Sequence, residues 1–190
     1  MHVDARVFGR PRIGEEQSGD AGVVREVDAV TWVLLIDGLG HGPKAAAAAQ
    51  LAVDELGQFD AALDIEAAFI RLNDALKGSR GAAATLVRFE ERRLTIAGVG
   101  NVELRRLSGP QLPFMASNGV LGRRLPRLRV AEVEVDEPGR MLLFTDGIDR
   151  RAPLRELSRL DVDAMGRLLL AQHSHDNDDA TAIHVDYRPS

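Results

Sequence analysis

A chain of 190 residues is about one domain's worth of sequence, long enough to bury a substantial core. Hydrophobic residues make up 45% and charged residues 28%, the balance of a soluble globular protein, and a formal net charge of -5 speaks against a general nucleic-acid binder, which needs a dominant basic surface. Cysteine is absent, so disulfides, thiolate metal sites and a cysteine nucleophile are excluded.

Met1 to Gly14 contains no apolar run of the signal-peptide kind. The longest strongly apolar stretches, Val33 to Ile36 and Ala45 to Ala49, are too short to span a bilayer. A soluble, cytoplasmic single domain over residues 1–190, with neither nucleic acid nor membrane as partner, is the expectation. Val3 to Phe8 alternates weakly and reads as a strand, followed by a loop over Gly9 to Gly19. Ala21 to Val27 and Val30 to Ile36 read as consecutive strands joined by a short turn at Asp28-Ala29. The second is aliphatic and β-branched and ends abruptly at Asp37-Gly38.

A helix follows, with Pro43 suited to its first position, alanines from Ala45 to Ala49 in its body and Gly57 beyond its end. In the next, Asp64 is placed to cap, and Ile65, Ala68, Phe69, Leu72 and Leu76 recur on one face as far as Gly78. Ala83 to Phe89, Leu94 to Val99 and Val102 to Leu107 then read as an uninterrupted meander, with turns at Glu91-Arg92 and Gly100-Asn101. Gly109 to Leu128 is irregular, broken by Pro110, Pro113, Gly119, Gly122 and Pro126. Val130, Val133 and Val135 mark another strand, and Met141 to Phe144 one more, ending like Val30 to Ile36 at an Asp-Gly. Asp161 to Gln172 has helical spacing, and Thr181 to Tyr187 alternates as a final strand. Short turns favour antiparallel pairing, and amphipathic helices must cover a sheet, which gives an α+β domain of stacked layers.

Four aspartates fall at strand ends: Asp20 before Ala21, Asp37 after Ile36, Asp146 after Thr145, and Asp178 in Asp176-Asn177-Asp178-Asp179-Ala180-Thr181. If those strands are neighbours, the carboxylates meet and raise one another's pKa values, a problem that a divalent cation removes. All-oxygen donors favour Mg²⁺ or Mn²⁺ over Zn²⁺. Taken singly, each has a plainer reading. An Asp-Gly after an apolar run is more often just a turn, and an Asp-rich stretch more often a solvated loop.

The order of the motifs is more specific than any one of them. Ser18-Gly19-Asp20, Asp37-Gly38-Leu39-Gly40-His41-Gly42, Phe144-Thr145-Asp146-Gly147-Ile148 and Asp178-Asp179-Ala180-Thr181 occur in that sequence, with Ala82-Ala83-Ala84-Thr85, Gly98-Val99-Gly100-Asn101 and Asn118-Gly119-Val120-Leu121-Gly122 between them. Over nearly the whole chain this set resembles the PPM superfamily of metal-dependent Ser/Thr protein phosphatases, in its bacterial SpoIIE-like branch and most like the RsbX-type stressosome phosphatases. The resemblance implies a four-layer α-β-β-α sandwich with two central antiparallel sheets and a site for two divalent cations, Mn²⁺ or Mg²⁺, between the sheet ends. By motif match, Asp37 would bridge the two metals and the Gly38 carbonyl would bind one. Asp146 and Asp178 would hold the other, with Asp176 as the fallback for Asp178, and Asp20 would act on the metal shell directly or through water.

The implied reaction is hydrolysis of phosphoserine or phosphothreonine on a protein, by in-line attack of a water that the metals activate. The subgroup further implies a phosphorylated STAS-domain regulator of a stress or sigma-factor pathway as substrate. His41 is a candidate general acid for the leaving alkoxide, its plainer role being to hold the loop or the helix starting at Pro43. His173 and His175 read as solvent-facing, and His2 and His184 have no company that marks a site. Eukaryotic relatives grip phosphate with an N-terminal arginine. Here Arg6, Arg10 and Arg12 are candidates, and the group Arg123, Arg124, Arg127 and Arg129, with Arg150 and Arg151, is either solvated surface or a means of steering an acidic partner. Two other readings compete. A non-catalytic module of the same fold would bind a partner only, and a phosphoacceptor receiver domain would need alternating strands and helices with parallel pairing, which the meander opposes.

Overall fold

In the computed structural model, which describes residues 1–189, the chain runs through strands β1 (His2–Arg10), β2 (Asp20–Val27) and β3 (Val30–Gly38), then helices α1 (Pro43–Leu56) and α2 (Ile65–Ala75). Strands β4 (Ala82–Glu90), β5 (Arg93–Val99), β6 (Glu103–Ser108), β7 (Ala131–Glu134) and β8 (Gly139–Phe144) follow. Helices α3 (Leu154–Leu157) and α4 (Val162–Gln172) precede the last strand, β9 (Ala180–Arg188). Two sheets form, in the orders β1-β9-β8-β6 and β2-β3-β4-β5-β7, and every strand pairing is antiparallel.

Three apolar clusters show how the layers stack. Trp32, Leu34 and Ile36 on one side of β3 pack with Ala48, Ala52 and Leu56 of α1 and Phe69 and Leu72 of α2. Val33 and Leu35, on the opposite side, pack with Met141, Leu143, Ile183 and Val185 of the second sheet. That sheet's outer face, Leu142, Phe144, Ala180 and Ala182, meets Leu157 of α3 and Met165 and Leu169 of α4. The result is the expected α-β-β-α sandwich, and β3 is apolar on both faces because both are covered.

The helices start where expected. Pro43 occupies the first turn of α1, and Asp64 caps α2 by accepting from the Ala67 N–H. Asp161 does the same for α4 through Ala164.

One local reading needs correction, and two other segments add detail to it. The meander does not continue past β5: after Gly100-Asn101 the chain crosses to the other sheet, where β6 pairs with β8 rather than with β5. Its place beside β5 is taken by β7, which spans Ala131–Glu134 and leaves Val130 exposed and Val135 buried just beyond its end. The single turn of α3 falls in a stretch with no expected element, being too short to carry a helical period.

Candidate active site

Residues two apart in a strand share a face, and this rule brings the site together. Asp37 continues the Val33-Leu35 row that faces the second sheet, so its side chain lies at the mouth of the inter-sheet cleft. Asp20 is its direct cross-strand partner in β2. On the facing sheet, Thr145 continues the Met141-Leu143 row, and Thr181 continues the Ile183-Val185 row. Those strand ends are stitched together: the Thr145 N–H donates to the Thr181 carbonyl at 3.0 Å, and the Thr181 N–H donates to Thr145 Oγ1 at 3.0 Å. Thr145 Oγ1 then donates across the cleft to Asp20 Oδ2 at 2.7 Å.

Two glycines permit this closeness. A Cβ on Gly147 would lie 1.8 Å from the Asp179 carbonyl oxygen, so only glycine lets the second Asp-Gly turn press against the entry to β9. A Cβ on Gly38 would lie 2.4 Å from the Ala45 carbonyl oxygen, so glycine also lets α1 pack against the end of β3.

Asp146 occupies the turn after β8 and accepts a hydrogen bond from Asn101 Nδ2. Asp178, half-buried before β9, accepts from the Asp179 N–H at 2.9 Å. Asp176 points elsewhere, exposed and 3.8 Å from Arg10. Asp20, Asp146 and Asp178 all act on Asp37 by charge.

Electrostatics register the crowding. Burial, followed by the charges of Asp20, Asp146 and Asp178, pushes the Asp37 carboxyl up to about 8, with Asn101 opposing. Asp20 is pushed up to about 7, again mainly by burial, with Thr145 opposing and Asp179 adding to the rise. Asp178 is raised by burial and by Asp146. Among the described residues, no three His, Asp or Glu side chains are gathered tightly enough to cage an ion unaided. The mutual repulsion is the better guide to fit, because Mg²⁺ keeps several waters and takes only one or two carboxylates directly. An all-oxygen donor set in which Asp20, Asp37 and Asp178 resist ionisation is suited to a hard divalent cation.

His41 is exposed on the loop after β3, and its Nδ1 is hydrogen-bonded to Glu15 Oε1 at 2.8 Å. That contact ties the loop before β2 to the loop before α1. Of the N-terminal arginines, Arg6 is exposed on β1, and Arg10 is committed to Ser174 Oγ and the His175 carbonyl. Arg12 is half-buried, and its charge is felt at Asp178.

Sequence reasoning assigned no role to four residues that shape this site: Asn101, Thr145, Asp179 and Glu15. Asn101 and Thr145 stand inside motifs that were recognised, but their partners are 45 and 125 positions away. Asp179 is buried, and its two carboxylate oxygens accept the Arg12 and Gly19 N–H groups, each at 2.8 Å. It braces the N-terminal loop against the site.

The family model described as Stage II sporulation protein E (SpoIIE) matches residues 28–188. The chain belongs to the SpoIIE family. Among curated relatives, this SpoIIE domain is 27% identical over 152 residues to the phosphoserine phosphatase RsbX of Bacillus subtilis (strain 168), covering 78% of this chain and 76% of that protein. Among solved structures, a chain from work on the bacterial stressosome as a modular system for secondary-messenger control is 31% identical, with TM-score 0.89 over 98% of this chain and 100% of that one. RsbX in complex with magnesium superposes with TM-score 0.83 at 24% identity, over 97% of this chain and 95% of that one. The serine/threonine phosphatase PstP/Ppp of Mycobacterium tuberculosis shares the fold at 15% identity, with TM-score 0.74 over 99% and 100% of the two chains. The fold is therefore that of the PP2C-type phosphatases. No helix among the described residues is long and apolar enough to cross a membrane.

Proposed function

We propose that this SpoIIE domain hydrolyses phosphoserine or phosphothreonine on a protein, and that two divalent cations, Mn²⁺ or Mg²⁺, are held by Asp20, Asp37, the Gly38 carbonyl, Asp146 and Asp178. The observation that carries the reading is the convergence of Asp20, Asp146 and Asp178 on Asp37 at the mouth of the inter-sheet cleft, from both sheets. The cations, when bound, supply a nucleophilic water and neutralise charge on the phosphoryl oxygens.

The chain's own residues supply position. Asp37, at the end of a strand buried on both faces, is held where the other carboxylates reach it. Thr145 orients Asp20, and Asn101 orients Asp146, the supporting contacts that metal ligands ordinarily need. Arg12 is the N-terminal arginine best placed to meet a phosphate, since its charge already acts on Asp178. As the P–O ester bond breaks, the serine or threonine oxygen needs a proton, and His41, oriented by Glu15, is the candidate donor.

The substrate proposed is a phosphorylated STAS-domain regulator in a bacterial partner-switching pathway. The name of the relative RsbX, a phosphoserine phosphatase, and the stressosome origin of the 31% identical chain support that class. The test is Mn²⁺-dependent release of phosphate from a phosphorylated STAS-domain protein. No release, or release that persists in excess chelator, would refute it. One observation favours a second reading, that of a non-catalytic partner-binding module: no pre-gathered trio of ligating side chains is found among the described residues. Calorimetry that detects neither Mn²⁺ nor Mg²⁺ binding would decide for that reading.

A further inference from the structure

A groove of about 290 Å³ opens directly beside the candidate active site. One wall is β6, the edge strand of its sheet, and the other is Phe114 to Ala116 from the irregular segment. Asn101, the residue whose amide holds Asp146, is part of the lining, which sets the groove beside the site. Met115 lies along it with 62% of its surface exposed, a large apolar side chain presented to solvent next to the chemistry.

The charge of the groove is opposite to that of the protein. Arg105 and Arg150 stand half-exposed at its rim, and both lean on a single carboxylate, Glu103, at 3.1 and 3.3 Å. Arg129, outside the lining itself, sets its guanidinium against the sulfur of Met115, which is part of the lining. Two arginines against one carboxylate in the lining, with Arg129 next to it at Met115, leave this groove basic on a chain of net charge -5. An edge strand also offers backbone donors and acceptors to an extended chain.

We propose that this groove docks the segment flanking the phosphorylated residue of the protein substrate, and that it selects an extended, acidic segment carrying an apolar side chain. The apolar side chain rests on Met115 and Phe114, and the acidic side chains meet Arg105, Arg129 and Arg150. This inference rests on the phosphatase reading of the site. It gives the irregular segment Gly109 to Leu128 and its continuation to Arg129 a role in choosing the substrate. Charges at a rim act mainly on encounter and partner choice, so the groove governs KM for a protein substrate and leaves the turnover of a small one alone.

The experiment compares two synthetic phosphoserine peptides with the same apolar residue, one flanked by Asp and Glu and the other by Lys. A third substrate, p-nitrophenyl phosphate, is too small to fill the groove. With the full chain and Mn²⁺, kcat/KM favours the acidic peptide by about tenfold or more, chiefly through KM. In the double variant Arg105→Glu/Arg129→Glu that preference disappears or reverses while aryl phosphate hydrolysis is unchanged, which also reports that the variant is folded. The milder pair Arg105→Gln/Arg129→Gln gives an intermediate preference. Equal handling of the two peptides by the unaltered protein, or a preference that survives charge reversal, would overturn the docking groove. No hydrolysis of any of the three substrates by the unaltered protein would instead overturn the phosphatase reading beneath it.

Discussion

Metal binding by this protein is expected to expel protons, and the number is set by the site's own geometry. Asp20 and Asp37 face each other across β2 and β3, and burial, with the charges of neighbouring aspartates, pushes them to about 7 and about 8. Carboxyls raised above the usual range hold their protons at neutral pH, and a cation that needs both ionised must displace them. At pH 6.5 the pair carries about 1.7 protons, and at pH 9 about 0.1, by simple titration of two such groups. Mn²⁺ affinity should therefore climb by about tenfold or more as the pH rises from 6 to 8, and then flatten. The sign follows from the raised values: affinity gains with rising pH through the window from about 6 to about 8. Calorimetric titration of Mn²⁺ in two buffers of different ionisation enthalpy counts the protons directly. Release of fewer than about half a proton at pH 6.5, with binding otherwise intact, would refute the claim that these buried carboxylates are the ligands.

Other perturbations separate the parts of the site. Gly147→Ala forces its Cβ into the Asp179 carbonyl, so it should cost about 1–3 kcal/mol in denaturant unfolding and about a hundredfold in kcat/KM by displacing Asp146. Wild-type activity from this variant would contradict the close approach. Thr145→Val keeps shape but strips Asp20 of its donor and leaves the Thr181 N–H unpaired. A loss of about 1–3 kcal/mol is expected, with the Mn²⁺ requirement moved to higher pH, while Thr145→Ser restores both. Asn101→Ala should raise the half-saturating Mn²⁺ concentration about 10- to 100-fold with a smaller effect on kcat at saturating metal. An unaltered metal dependence would leave Asn101 without the role its bond to Asp146 gives it.

Much of this molecule is legible in its sequence where the signal is local. Pro43 and Asp64 mark helix starts through the chemistry of the first turn, and the uninterrupted run Val33 to Ile36 marks a strand covered on both faces. Asp37 and Asp146 are recognisable because an apolar strand stops at each of them. The misreading of β6 shows where local signals end. Val102 and Leu104 fill the same inter-sheet core as Leu94 and Ile96, so the alternation is identical whichever sheet the strand joins. Only pairing with β8 decides the matter. Asp179 is another case, because its neighbours in sequence read as a solvated acidic loop while its carboxylate is buried against Arg12 and Gly19. Motif order leaves open whether Asp178 or Asp176 joins the site, since the two lie two residues apart. The ion pair of Asp176 with Arg10 and the raised carboxyl of Asp178 separate them in space.

The most direct test of the account is phosphate release from p-nitrophenyl phosphate as Mn²⁺ is titrated into the unaltered protein and into Asp37→Asn, with unfolding curves for both. The account predicts saturable, chelator-reversible activity in the unaltered protein. It predicts a loss of about a thousandfold or more in a variant that remains folded, since Asp37 is the carboxylate on which the proposed cation-holding residues converge and would hold the cations that supply the nucleophile. Activity in Asp37→Asn within a few-fold of the unaltered protein, or full activity in excess chelator, would contradict it.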